Sequence, residues 1–173
     1  MRFSQREEAP ASVLVPLVMR DSPTVLLTLR TAHLSTHSGQ IAFPGGRVDK
    51  EDIDASATAL REAHEEVGLE SVHVRVIGTL PIYTTGSAFI ITPVVALVQP
   101  NFCLKPNAHE VDDVFEVPLG FLMDPANHRR HAIEWNGHTR HWYSMTYMDG
   151  AKERFIWGAT AGMLRNLYRF LSA

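Results

Sequence analysis

Three glutamates, Glu62, Glu65 and Glu66, follow Arg61 inside a stretch with a helical pattern. At about 100° of turn per residue, Ala59, Leu60, Ala63 and Val67 fall on one arc of that helix. Arg61, Glu62, Glu65 and Glu66 fall on a separate arc. Spacings of three and four residues bring the carboxylates onto one patch, where they repel one another. Arg61, four residues before Glu65, offsets part of that repulsion. The remainder suits a hard divalent cation, Mg²⁺ or Mn²⁺, which prefers oxygen ligands. A cation held there can bind a diphosphate, polarise its phosphorus and lower the pKa of a water nucleophile. Taken alone, the same glutamates also fit a plain solvated helix face. The preceding Pro44-Gly45-Gly46 favours the metal reading, because glycines let the backbone approach a ligand closely and present amides or a carbonyl to it.

The elements that must position these residues can be read around them. Val13–Met19 and Thr24–Arg30 are β-rich runs separated by the turn signal Asp21-Ser22-Pro23. Gln40–Phe43 is a short strand that ends at the glycine pair. The helix is expected over Ile53–Val67, with Gly68 as its stop. Val72–Leu80 and Ala88–Val98 are further strands. Val114–Val117 is a short strand, and Pro118 opens a small helix through Met123. His131–Trp135 and Thr139–Met148 form a hairpin around Asn136-Gly137, and a helix over Ala159–Leu171 closes the chain. Residues 1–173 read as one domain, with no internal repeat or low-complexity tract. Periodicity alone gives α and β elements around a mixed sheet.

Composition narrows the partners. With 45% hydrophobic and 20% charged residues, the chain is ordinary globular material rather than disordered. A net charge of −3 offers no basic footprint for nucleic acid. No stretch is long and apolar enough to span a bilayer. Ala11–Met19 is too short and follows Glu7 and Glu8, so it reads as a core strand rather than a signal segment. The single cysteine, Cys103, excludes an intrachain disulfide and points to a reducing, cytoplasmic setting. Nothing here indicates an oligomeric state. His128, His131, His138 and His141 cluster in sequence, but their spacing suits a wet hairpin surface better than a zinc site. Phe155 and Trp157 are expected in the core rather than as a base-stacking platform.

Together, the loop and helix resemble the Nudix box, G-x5-E-x7-R-E-U-x-E-E-x-G-U with U apolar. Here it runs from Gly46 through Asp52 to Arg61-Glu62-Ala63-His64-Glu65-Glu66-Val67-Gly68-Leu69. Asp replaces the first Glu, and one extra residue follows it. Both departures resemble the coenzyme A pyrophosphatase branch. So do Leu26-Leu27-Thr28, Arg30-Thr31-Ala32, Gly39–Gly46, Thr92-Pro93-Val94-Val95, Glu110-Val111, Val114–Leu119 and Ile156–Gly162. The likeness covers about Leu26 to Gly162. One position differs: the branch has Arg four residues before Gly39, where this chain has Ser35. Arg30, His33, His37 and Arg47 are candidates to compensate.

The resemblance implies an α/β/α sandwich around a mixed β-sheet. It also implies metal-dependent hydrolysis of coenzyme A, or an acyl derivative, to 4′-phosphopantetheine and 3′,5′-ADP. Glu65 and Glu66 would bind Mg²⁺ or Mn²⁺, together with the Gly46 carbonyl. Glu62 would be a further ligand or the base that activates water, a role that Glu110 could equally fill. Arg61 would hold the glutamates by a salt bridge. Asp52 would act through a metal-bound water or cap the helix. Arg30, Gly45, Arg47 and Tyr83 are the candidate substrate contacts, although Tyr83 also suits ordinary packing. A second reading is hydrolysis of another nucleoside diphosphate derivative, such as ADP-ribose. A third, a silent nucleotide-binding module, conflicts with the presence of all three helix glutamates.

Overall fold

The computed structural model describes residues 8–34, 39–86 and 89–173. Glu7, Ser35, His37 and Ala88, named above, lie outside the described residues. The core strands are β1 (Ala9–Val18), β2 (Thr24–Arg30), β3 (Ile41–Ala42), β4 (Gly45–Arg47), β5 (Val74–Thr79), β6 (Tyr83–Thr84), β7 (Phe89–Val98) and β8 (Val111–Pro118). They form one mixed sheet with the path β3-β2-β1-β7-β5. To this path β4 adds on β1, β6 on β7 and β8 on β2. The β1–β7 pair is parallel, in register from Ala9 opposite Phe89 to Val18 opposite Val98.

Strands β1, β2 and β7 are covered on both faces, which is why their sequences are almost continuously apolar. Leu14, Val18, Leu26, Val94, Ala96 and Val98 point toward helix α1 (Ala55–Val67) and meet its Ala59, Ala63 and Val67. The alternate residues, among them Val15, Val25, Leu27 and Val95, pack on the opposite side. There they meet helix α3 (Gly158–Leu171), through Ala161, Leu164 and Leu167, together with a second sheet. That sheet is antiparallel and three-stranded, in the order β11-β10-β9, with β9 (Arg129–Trp135), β10 (His138–Asp149) and β11 (Lys152–Trp157). A one-turn helix, α2 (Leu119–Leu122), follows β8. The sandwich expected from the Nudix resemblance is therefore present, with a third layer that is part helix and part sheet. Among the described residues, no helix is long and apolar enough to cross a membrane.

Capping sets the ends of α1. The side chain of Asp54 accepts from the Ala57 N–H at 2.8 Å, so the helix starts two residues after the expected Ile53. It stops at Gly68, which adopts φ +71°, a left-handed conformation that glycine enters without side-chain penalty. The Asn136-Gly137 turn has φ +50° and +75°, the primed geometry of a two-residue hairpin.

The last strand, β11, is not among the elements expected from the sequence, and its side chains depart from the expected core packing. Phe155 and Trp157 are each 41% exposed, so neither is core. Their strand alternates, and its buried positions are Arg154 and Ile156. The histidine reading also changes in part. His138 and His141 are exposed. His131, however, stacks on Trp142, and His128 bonds the Leu122 carbonyl and Arg165.

Candidate active site

The glycine pair is forced by close approach rather than by backbone angle. In β4, Gly45 lies opposite Val13 and Gly46 opposite Ser12 on β1. A Cβ on Gly45 would sit 2.5 Å from the Ser12 carbonyl oxygen, and one on Gly46 would sit 2.6 Å from Oε1 of Glu62. The glycine turn and the helix carboxylates therefore touch. Ser12 secures the other side of α1: its buried hydroxyl lies 2.7 Å from the Ala55 carbonyl and 3.1 Å from that of Thr92.

Arg61 uses all five of its N–H donors. Nε and Nη2 reach the two Asp52 oxygens at 3.0 and 2.9 Å. Nη1 reaches Glu62 at 3.0 Å and Glu65 at 3.2 Å. The second Nη2 proton reaches the Arg47 carbonyl at 3.1 Å. Asp52 also accepts from the Asp49 N–H and the Thr58 hydroxyl, and this company holds its carboxyl well below the usual carboxylate range. Asp52 therefore neither caps α1, which is the task of Asp54, nor lines the cavity. It orients Arg61, which in turn orients Glu62.

The acidic arc divides in two. Glu66 is only 5% exposed and Glu62 is part-buried, whereas the Glu65 side chain is 54% exposed and sits at the rim against Arg61. A cavity of about 320 Å³ is lined by Glu62, Glu66, Glu110, Arg30, Gly46 and Arg47, and on other sides by Ile41, Phe89, Trp157 and Met163. Glu65 and Tyr83 are not in its lining. Tyr83 packs instead against α3, where a Cβ on Gly162 would meet its hydroxyl at 2.5 Å.

Glu110 arrives on the loop before β8. The Asn107 N–H bonds the Glu66 carbonyl and the Thr31 N–H bonds the Glu110 carbonyl, so this loop is tied to both α1 and the end of β2. Burial, then repulsion from Glu62 and Glu110, pushes the Glu66 carboxyl up to about 8; Arg30 and the Gly45 N–H oppose the shift. Glu62 is raised mainly by burial, against the pull of Arg61. Nε of Arg30 is buried without a partner, an orphaned donor beside these acids.

Among the described residues, no three acidic, histidine or cysteine side chains form a ready-made metal cage. The donor chemistry nevertheless fits a hard cation. All the ligand candidates are oxygens, and two of them, the buried Glu66 and the part-buried Glu62, are carboxylates whose charged forms burial disfavours, a cost that a bound cation would offset. Gly46 was placed in the site from the sequence, and it meets Glu62. The missed contributors are Trp157 and Met163. The consecutive apolar residues Phe155-Ile156-Trp157 just before the closing helix were the available signal for Trp157.

A family model described as the NUDIX domain matches residues 9–136. The Nudix hydrolase NudL of Enterobacter sp. (strain 638) is 41% identical over 157 residues, covering 91% of this chain and 80% of its own. Its namesake from Escherichia coli K12 is 40% identical with the same coverage. A solved MutT/nudix family protein from Enterococcus faecalis aligns with a TM-score of 0.58 at 15% identity, covering 99% of this chain and 65% of that one. A C. elegans Ap4A hydrolase binary complex gives 0.55 at 18% identity, covering 64% of this chain and 80% of its own. At such identities these structures speak for the fold alone.

Proposed function

The chain belongs to the Nudix family, and from that premise we propose that it hydrolyses the diphosphate bond of coenzyme A or acyl-coenzyme A with Mg²⁺ or Mn²⁺. The observation that carries the chemistry is the contact of Gly46 with Glu62 in the lining of a cavity also lined by Glu66, Glu110 and Arg30. Glu62, Glu66 and the Gly46 carbonyl are the groups that would hold the cation, with Glu65 assigned by the motif from its place at the rim. When bound, the cation supplies Lewis-acid polarisation of the diphosphate and neutralises developing charge.

The protein's own groups do the rest. Arg30, whose Nε lacks a partner, and Arg47 offer planar donors suited to phosphate oxygens. Glu62 or Glu110 accepts the proton of the attacking water, and either lines the cavity where that water must sit. Arg61, fixed by Asp52, keeps Glu62 oriented for this.

Support for coenzyme A itself comes from the branch-like segments, chiefly Gly39–Gly46 and Ile156–Gly162, both of which contribute to the cavity wall. Ser35, where the branch carries Arg, favours the second reading, hydrolysis of another nucleoside diphosphate derivative. Turnover of coenzyme A, acetyl-coenzyme A and ADP-ribose, each with Mg²⁺ and with Mn²⁺, separates the two. A strong preference for ADP-ribose would replace the coenzyme A assignment.

A further inference from the structure

The outer face of β11 carries two large aromatics, Phe155 and Trp157, and only Trp157 also lines the active-site cavity. Its position is held from several sides. Trp157 pairs with Ser144 on β10. The next residue, Gly158, takes φ +63°, a left-handed turn that suits glycine and swings the chain directly into α3. Trp142 stands edge-on to Trp157, with ring centroids 6.1 Å apart. His131 stacks flat on Trp142 at 3.9 Å, and its Nε2 lies 2.7 Å from the Ser144 hydroxyl. A row of three rings, secured by cross-strand pairs, thus ends in an indole that is 41% exposed at the cavity wall.

The same cavity holds the diphosphate chemistry, at Gly46 and Glu62. The wall between runs along the backbone from Ile41, on the strand that contacts β11, to Gly46. The five residue steps from Ile41 to Gly46 extend over at most about 17 Å, within the reach of a nucleoside diphosphate lying along them. A rigid, half-exposed indole suits a flat π-system better than a flexible chain, because little side-chain freedom is left to lose when the rings meet.

We propose that Trp157, backed by Trp142 and His131, is the stacking wall for the nucleobase of the substrate and thereby selects nucleoside diphosphate derivatives over other diphosphates. This rests on the hydrolase reading for its substrate class, but its test does not need turnover.

The probes are AMP and pantetheine, titrated separately into metal-free protein, wild type against Trp157→Phe and Trp157→Ala. Binding is followed by calorimetry and by tryptophan fluorescence. AMP quenches wild-type fluorescence. Trp157→Phe loses most of that quenching yet binds AMP within about twofold, because an aromatic face remains. Trp157→Ala binds AMP about tenfold more weakly, the scale of one lost base stack, with pantetheine affinity unchanged. In steady state, Trp157→Ala raises KM for ADP-ribose by a similar factor and leaves kcat nearly unchanged. Equal AMP affinity in wild type and Trp157→Ala overturns the proposal, as does wild type that binds no AMP. A loss of pantetheine binding in place of AMP binding would assign the wall to an apolar arm, which also overturns it. If wild type turns over neither coenzyme A nor ADP-ribose, the hydrolase reading falls while AMP quenching still decides the role of Trp157.

Discussion

Glu66→Gln should make the metal-free protein more stable and inactive, and the gain should depend on pH. The carboxyl has an ordinary value of 4.5 and is pushed up to about 8 by burial among like charges. Below about pH 4.5 it is protonated whether the chain is folded or not, and its burial costs nothing electrostatic. As pH rises from 4.5 toward 8, the unfolded chain releases the proton first, so stability falls; above 8 the cost is constant. A displacement of this size penalises the charged form by at most ~5 kcal/mol. Glutamine keeps the shape and still accepts the Gly45 N–H, but a neutral acceptor returns ~1–2 kcal/mol less than a carboxylate. A net gain of ~3 kcal/mol corresponds to roughly 6–12 °C in Tm for a domain of this length. Thermal unfolding in EDTA at pH 5 and pH 9 reads the effect directly. The gain should be large at pH 9 and nearly absent at pH 5. An equal difference at both pH values, or a less stable variant at pH 9, would refute the buried-charge account. Added Mg²⁺ should raise the Tm of wild type at pH 9 and leave Glu66→Gln unmoved.

Other substitutions separate positioning from chemistry. Gly45→Ala places its methyl against the Ser12 backbone and should cost ~2–4 kcal/mol of stability, read by urea unfolding. Gly46→Ala meets only the end of the Glu62 side chain; it should leave stability within ~1 kcal/mol but lower kcat more than about tenfold by displacing that carboxylate. Asp52→Asn loosens Arg61 and should reduce kcat with little change in KM, measured in steady state with Mg²⁺. Arg30→Ala, by contrast, should raise KM for diphosphate substrates about tenfold, the worth of one charged hydrogen bond.

The sequence disclosed most where a single local rule governs the outcome. Gly68 ends α1 and Asn136-Gly137 turns the hairpin because glycine and asparagine accept positive φ. The touching of Gly46 and Glu62 followed from the motif. The division of the acidic arc did not, because helical angle places Glu62, Glu65 and Glu66 on one patch while only the packing of β4 and the Glu110 loop decides which are buried. Asp52 shows the same limit: its sequence position suits a metal-bound water or a helix cap, and it is bound instead to an arginine nine positions away. β11 was hidden by its charge. Lys152-Glu153-Arg154 looks solvated, yet Arg154 is buried with its guanidinium 3.9 Å over the ring of Phe115 and bonded to Asp113 and Asp149. An arginine paired with two carboxylates and an aromatic face can occupy a core position that sequence alone assigns to an apolar residue.

The parallel pairing of β1 with β7 also joins distant parts of the chain. Ser12 and Thr92, which share a hydroxyl contact, are 80 positions apart, and α1 lies in the span between them. Contacts so remote along the chain must close the intervening loop against its entropy, a cost that slows folding. A nascent chain that ends before Val94 carries every glutamate of the motif but lacks Val94, Ala96 and Val98, the β7 residues that pack on the apolar side of α1.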